Sequence, residues 1–299
     1  MDRWRILPRP SLRSLALLPP GTAWARAQIE IRAISPQISL SSLKMTQMPR
    51  PVRLIDLAPT MARVLGVRTP PLDGTSIDLV EGWGSDRVLL AIVDSLGYGL
   101  YRALEADLPN MRSLAGEGLL LKAESVASST TPAIASILTG LNPENHGITN
   151  TTQASESEMR SLLEWATSDD VSSAVVMEEE GARTFDGFVD LVIGVSKSLK
   201  DGDFDREILA GTLLALETDP KLLVAHFLGI DRIAHRGGGI GEILEAASEI
   251  DGHLGILASA IPPRSMMIVC GDHPLHAGGL KAVFDGDYVA LILWKKEEG

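Results

Sequence analysis

From Arg87 to the end of the chain, short continuous apolar runs alternate with stretches in which apolar residues recur every three or four positions. Continuous runs rich in leucine and β-branched residues are the pattern of parallel strands buried on both faces. They predict strands at 88–94, 173–177, 188–195, 222–231, 266–271 and 288–294. The amphipathic stretches predict helices over 100–116, 132–140, 157–167, 205–217 and 240–261. A strand-then-helix alternation of this kind gives an α/β fold: a doubly wound, mostly parallel sheet with helices on both faces. Upstream, Leu57, Met61, Val64 and Leu65 recur at helical spacing and predict a further helix over 54–65, with a capped start across 56–60.

The 299 residues are 45% hydrophobic and 22% charged, enough apolar material for a sizeable core. A formal charge of -12 argues against a nucleic-acid polymer or an anionic membrane as partner. No run approaches the ~20 apolar residues that cross a bilayer, so no membrane span is expected. The single cysteine, Cys270, excludes an internal disulfide framework and a multi-cysteine zinc site, fits a cytoplasmic location, and reads as a small buried hydrophobe. Residues 1–45 differ from the rest. Arg3, Arg5, Arg9 and Arg13 precede an apolar patch broken by Pro19 and Pro20, a poor secretory signal that leaves export open. This segment is expected to be a poorly ordered extension, or to lie upstream of a true start at Met45 or Met48. Residues 46–299 are expected to form a single domain.

In open α/β sheets ligands bind beyond the carboxyl ends of the strands. There the chain places Asp94, then Asp231 with His235, then Asp272 and His273 with His276 close behind. A lone Asp after a strand is usually a turn residue or a helix cap. Three strands ending alike, with three of the six histidines of the chain among them, point instead to a cluster of oxygen and nitrogen ligands suited to Zn²⁺ or Mn²⁺. A further helix is predicted to begin at Thr131-Pro132, with Thr131 as N-cap and Gly140 at its end. A hydroxyl there meets the positive end of a helix, although threonine is a weak nucleophile until a base or metal activates it.

The residues now support a resemblance. Thr130-Thr131-Pro132, followed by Thr139-Gly140-Leu141-Asn142-Pro143-Glu144-Asn145-His146-Gly147-Ile148, resembles the T-x-P…TGL-x-PE-x-HGI signature of the type I phosphodiesterase and nucleotide pyrophosphatase branch of the alkaline phosphatase superfamily. The segment from His226 to His235 is similar to that superfamily's D-x-x-x-H metal motif, especially as found in the ethanolamine-phosphate transferases of glycolipid-anchor synthesis. Gly271-Asp272-His273 resembles its DHG motif, with Pro274 in place of the following glycine.

The resemblance implies an alkaline phosphatase-like fold and two divalent metal ions, zinc with manganese as the alternative. One would be held by Asp94, Thr130, Asp272 and His273, the other by Asp231, His235 and a further histidine. His276, before Ala277-Gly278-Gly279, is the nearest counterpart of that histidine, across a shorter loop than in the transferases. His226 and His253 are alternatives that, in a strand and a helix, more readily pack or face solvent. Thr130 would attack phosphorus and form a phospho-threonine intermediate. Asn150 is either a donor to a phosphoryl oxygen or an ordinary loop asparagine, and His146 is read as structural. The implied substrate is a small phosphate ester, cleaved as a phosphodiester or pyrophosphate. A phosphomonoesterase, or a non-catalytic binding protein on the same fold, are the competing readings, whereas a sulfatase would want a C-x-P-x-R motif that is missing around Thr130. Leu54 to Val67 with Asp73-Gly74 resembles a segment that usually follows the last strand, so the chain looks circularly permuted, and Trp294 should then lie near Pro51.

Overall fold

A computed structural model describes residues 50–284 and 286–298; the expectations for residues 1–45 fall outside them. From Pro51 on, the described residues belong to one compact unit, Pro51–Gly299. No helix among them is long and apolar enough to cross a membrane. Its centre is a seven-stranded sheet of β1 (Arg87–Val93), β2 (Leu119–Glu124), β3 (Ser173–Glu178), β4 (Leu191–Val195), β5 (Leu222–Phe227), β6 (Ser265–Cys270) and β7 (Tyr288–Lys295). The spatial order is β2-β7-β6-β1-β5-β3-β4. The five strands from β6 to β4 run parallel, and β7 lies antiparallel to both β6 and β2.

The central strands β1, β5 and β6 are buried along almost their whole length, as their unbroken apolar sequences require. One face is covered by α1 (Leu57–Leu65), α4 (Thr130–Thr139) and α7 (Leu162–Ser168), whose Leu57, Met61, Ile137, Leu138 and Leu162 pack with Val88, Leu90, Ile92 and Val224. The other face carries α2 (Tyr98–Leu104), α3 (Pro109–Glu117), α9 (Asp201–Leu216) and α11 (Ile240–Ala260). Short helices α5 (Pro143–His146), α6 (Thr151–Glu156), α8 (Glu179–Ala182) and α10 (Gly229–His235) complete the connections.

Several predicted boundaries move. The run 222–231 is not one strand: β5 stops at Phe227 and α10 begins at Gly229, so Asp231 sits in the first turn of a helix. The cause is Asp205 of α9, whose carboxylate accepts the backbone N–H groups of Leu228 and Gly229, both at 2.9 Å, and turns the chain. The predicted helix 100–116 is divided around Leu108, because Pro109 cannot donate within a continuous helix and instead opens α3. The strand 188–195 shortens to β4, and the helix 157–167 begins only at Leu162, behind a capping box between Ser161 and Glu164. The edge strand β2 was not expected; six residues long like β5 and β6, it is only half-buried, and Lys122 and Glu124 break its apolar run. Finally, α4 starts two residues earlier than predicted, with Ser129 as N-cap, Thr130 and Thr131 inside the helix and Pro132 third.

The 54–65 helix is present as a short 3-10 turn followed by α1, which packs against β1 and α4. Its start is not side-chain capped as expected. The Asp56 carboxylate instead accepts the N–H groups of Arg53 and Thr75, each at 2.9 Å. The same segment clasps the end of α4. Asp73 and Gly74 donate to the carbonyl of Gly140, and Asp73 Oδ2 receives Asn142 N at 2.7 Å and Asn145 Nδ2 at 2.7 Å. Trp294 and Pro51 are not adjacent, but both lie along β2, across a gap that a short linker of about five extended residues spans. Arg53 bridges Glu124, opposite Tyr288 at the start of β7, whereas Leu293 pairs with Leu119 at the other end of β2. At about 3.4 Å per residue, five residues of strand separate the two ends by ~17 Å.

A candidate metal-dependent active site

The parallel strands deliver a polar cluster to their carboxyl edge. Asp94 follows β1 directly, Asp272 and His273 follow β6 by one glycine, and Asp231 and His235 lie on α10 after β5. Gly271 permits the approach, because a Cβ there would lie 2.3 Å from the carbonyl oxygen of Leu96. Asp94, Asp272 and His273 are almost wholly buried.

The nucleophile candidate sits among them. Thr130 Oγ1 donates to Asp94 Oδ2 at 3.1 Å and lies 3.2 Å from His273 Nε2. As the first residue of α4 it meets the positive end of the helix dipole. His273 Nδ1 faces the carbonyl of Pro274 at 3.0 Å, and since a carbonyl only accepts, Nδ1 carries the hydrogen and Nε2 offers its lone pair to the cluster. His273 Nε2 also stands 3.4 Å from Asp94 Oδ1 and 3.3 Å from Asp272 Oδ2.

A second group adjoins the first. Asp231, His235 and His276 bring ligand atoms within 4.8 Å of one another. His235 Nε2 is 3.5 Å from Asp231 Oδ2 and 3.1 Å from His276 Nε2, while His276 Nδ1 is 3.7 Å from Asp231 Oδ1. Ser95 joins the two groups: its hydroxyl donates to Asp231 Oδ1 at 2.8 Å and its backbone N–H to Asp272 Oδ1 at 3.1 Å. It does so from a left-handed backbone, φ 64°, which non-glycine residues seldom adopt.

Electrostatics favour a cation here. Burial, then the facing Asp231, pushes the Asp94 carboxyl up to about 7. Burial and the neighbouring Asp94 push Asp272 up to about 7 as well. Burial draws His273 down, but Asp272 and Asp94 outweigh it and raise it above the ordinary imidazole range. Burial lowers His226 and His276, favouring the neutral imidazole that binds metals. Asp94 Oδ1, Asp272 Oδ2, His226 Nε2 and His276 Nδ1 are buried without a hydrogen-bond partner, a costly arrangement unless another group satisfies them. The donor set of carboxylates and imidazoles fits a divalent zinc- or manganese-like ion.

All of the expected ligand residues therefore meet at one edge, and His226 joins them. As an alternative ligand it was expected more readily to pack or face solvent; its Nε2 lies 3.3 Å from Asp94 Oδ2, and Asp94, His226 and Asp272 can share one ion. The signal was available: a histidine inside six buried strand residues needs a polar partner, and its pairing with Ile92 places it beside the end of β1. Ser95 had no signal in the sequence. His253 stays apart, tilted against Phe227. His146 is structural as expected, accepting Ile148 N–H at Nδ1 (3.0 Å) and lying 3.0 Å from Ser136 Oγ through Nε2. Asn150 is not brought to the cluster; it is exposed, and its Oδ1 caps α6 by accepting Gln153 N–H at 3.0 Å.

No match was found among curated protein sequences. Solved structures share the fold. Phosphonoacetate hydrolase from Sinorhizobium meliloti 1021, in complex with phosphonoacetate, superposes with a TM-score of 0.52 at 16% identity, over 63% of this chain and 56% of that one. Murine ectonucleotide pyrophosphatase/phosphodiesterase 5 gives 0.51 at 18% identity, over 63% and 57%. A protein of the alkaline phosphatase superfamily from Vibrio parahaemolyticus gives 0.54 at 13% identity, over 81% and 68%. The chain thus spans little more than half the length of the first two. Residues 88–292, from the first strand of the sheet into its last and including every member of the cluster, match the family described as type I phosphodiesterase / nucleotide pyrophosphatase, and the chain belongs to that family.

Proposed function

We propose that the protein is a metal-dependent phosphodiesterase or nucleotide pyrophosphatase that cleaves a small phosphate ester through a phospho-threonine intermediate at Thr130. The observation that carries this reading is the position of the Thr130 hydroxyl, at a helix N-terminus and within hydrogen-bond distance of both Asp94 and His273. Asp94, Thr130, Asp272 and His273 would hold one divalent ion, zinc or manganese, and Asp231, His235 and His276 the other. When bound, such ions supply positive charge to the phosphoryl oxygens and lower the pKa of the attacking hydroxyl.

The chain's own groups account for the remaining steps. Thr130 Oγ1 already donates its proton to Asp94 Oδ2, so the hydroxyl has a proton acceptor in contact when its oxygen attacks phosphorus. The new bond is Oγ1–P, the broken one joins phosphorus to the departing alcohol or phosphate, and the leaving oxygen takes a proton. Water then cleaves the Oγ1–P bond and restores the hydroxyl. The N–H groups at the start of α4 and its dipole stabilise the negative oxygens in both steps. Asp205, through the β5–α10 turn, and Ser95, through Asp231, hold the ligand residues in place. A cytoplasmic location is part of the proposal, supported by the single buried Cys270.

The test is reconstitution with Zn²⁺ or Mn²⁺, followed by hydrolysis of bis(4-nitrophenyl) phosphate and acid quenching in mid-turnover. A phosphoryl adduct mapped to Thr130 supports the mechanism. Turnover with the adduct on Thr131 would displace the nucleophile by one residue, and no turnover with both ions bound would reject the activity.

A further inference from the structure

A cavity of about 550 Å³ opens at the candidate site and runs away from it along α4. Its inner end is formed by Asp94, Thr130, His226 and Asp231. Its walls are mixed, with an apolar strip in which Ile134 and Leu138, one and two turns along α4 from Thr130, are joined by Ile148, Met159 and Phe185, and Phe188 stands 57% exposed. A volume of this size accommodates a drug-sized organic group.

Several polar groups of the wall are committed to the protein itself. Thr139 Oγ1 donates to Ala135 O at 2.7 Å, Ser155 Oγ to Thr152 O at 2.8 Å and Thr184 Oγ1 to Gly181 O at 2.7 Å. Glu164 Oε2 accepts Ser161 N, and Glu178 Oε2 accepts Gly181 N. The donors this leaves toward the edges of a nucleobase are chiefly the hydroxyls of Ser157 and Ser161, which accept the N–H groups of Met159 and Glu164, and the exposed Arg160. Of the charged lining residues beyond the Asp94 end, Glu158, Glu164 and Glu178 are acidic and Arg160 alone is basic. A second phosphate placed here would meet more repulsion than attraction.

We propose that this cavity receives the organic substituent of the phosphate ester, and that the substituent is an uncharged, apolar alkyl or aryl group rather than a nucleoside phosphate. This rests on the phosphoester-hydrolase reading and narrows it. The phosphate would sit at Thr130, and the substituent would extend over Ile134 and Leu138 toward the largely buried Phe185, with Phe188 accessible at the outer end.

The experiment uses the metal-reconstituted full chain and a series of 4-nitrophenyl alkyl phosphates with methyl, butyl and octyl groups, beside the 4-nitrophenyl ester of thymidine 5′-monophosphate. The chromogenic leaving group is constant, so only the fit of the varied substituent is read. Burial of the chain predicts kcat/KM rising about threefold per methylene, with octyl at least ~100-fold above methyl and above the thymidine ester. Ile134→Asp, at a partly buried lining position, and Phe185→Ala should each reduce the octyl-to-methyl ratio at least tenfold, with metal content and melting curves confirming that the variants fold. A flat series, or preference for the thymidine ester, overturns the proposal while leaving the hydrolase reading intact. If no ester is turned over, the hydrolase reading falls, and binding of octylphosphonate against methylphosphonate, followed by calorimetry, decides the cavity: at least ~100-fold tighter binding of the octyl compound supports it, and equal affinity overturns it.

Discussion

Ser95 holds a strained backbone at the junction of the two ligand groups, and two substitutions separate the strain from the hydrogen bond. At φ 64° a residue with a Cβ costs about 1–2 kcal/mol relative to a right-handed conformation. Against this, its fully buried hydroxyl donates to the Asp231 carboxylate at 2.8 Å, and bonds to a charged group contribute about 1.5–3 kcal/mol. Ser95→Ala keeps the strain and loses the bond, so it should destabilise the fold by about 2 kcal/mol. Ser95→Gly loses the same bond but removes the strain, less the ~0.5–1 kcal/mol by which glycine favours the unfolded chain. The glycine variant should therefore be the more stable of the two by up to about 1.5 kcal/mol, each kcal/mol being worth ~2–4 °C in melting temperature for a domain of this size. Thermal unfolding in excess chelator reads this difference without any contribution from bound ions. Both variants also free the Asp231 carboxylate, so affinity for a Zn²⁺ ion at Asp231, His235 and His276 should fall by ~10-fold or more in calorimetric titration. An alanine variant as stable as the glycine variant would refute the strain argument; wild-type zinc affinity in both would refute the positioning role.

The remaining expectations concern the same site and its surroundings. Thr130→Ala should abolish turnover while elemental analysis still finds bound metal, whereas Thr131→Ala, within α4 and 3.5 Å from Thr151 Oγ1, should retain activity and cost less than about 1 kcal/mol of stability. Chelation should lower the melting temperature, and restoring zinc or manganese at a hundred times its dissociation constant should return about 2.7 kcal/mol per site; failure to bind any divalent ion would remove the metal assignment altogether. Gly229→Ala places a Cβ 2.3 Å from Asp205 Oδ2 and should displace the carboxylate that caps the β5–α10 turn, destabilising the fold by at least ~2 kcal/mol in urea unfolding. Cys270 is fully buried and burial pushes its thiol up, so a thiol reagent at pH 8 should leave the native protein unmodified and react only after denaturation.

The fold class was legible from the chain because parallel strands buried on both faces must be continuously apolar, and Val88 to Val93 and Met266 to Cys270 can be little else. The ligand residues were legible for a related reason: charged and imidazole groups directly after such runs arrive at the carboxyl edge whatever the details of the turns. Asp94, Thr130, Asp231, His235, Asp272, His273 and His276 follow from that rule together with the family motifs. What the pattern could not convey was the effect of distant residues on a local choice. The apolar run from Leu222 continues past Phe227, and only the carboxylate of Asp205, arriving from another helix, decides that it turns there. His226 looked like a packing residue until strand pairing set it beside Asp94. Ser95 carries no periodic signal, since its left-handed backbone is imposed by the loops converging on Asp272. The cavity beyond Thr130 is likewise a product of tertiary structure, its lining drawn from Asp94, from stretches between residues 130 and 188, and from residues 226–231. Periodicity records which face of an element is buried; it does not record what that face meets, and the chemistry of this site depends on the meeting.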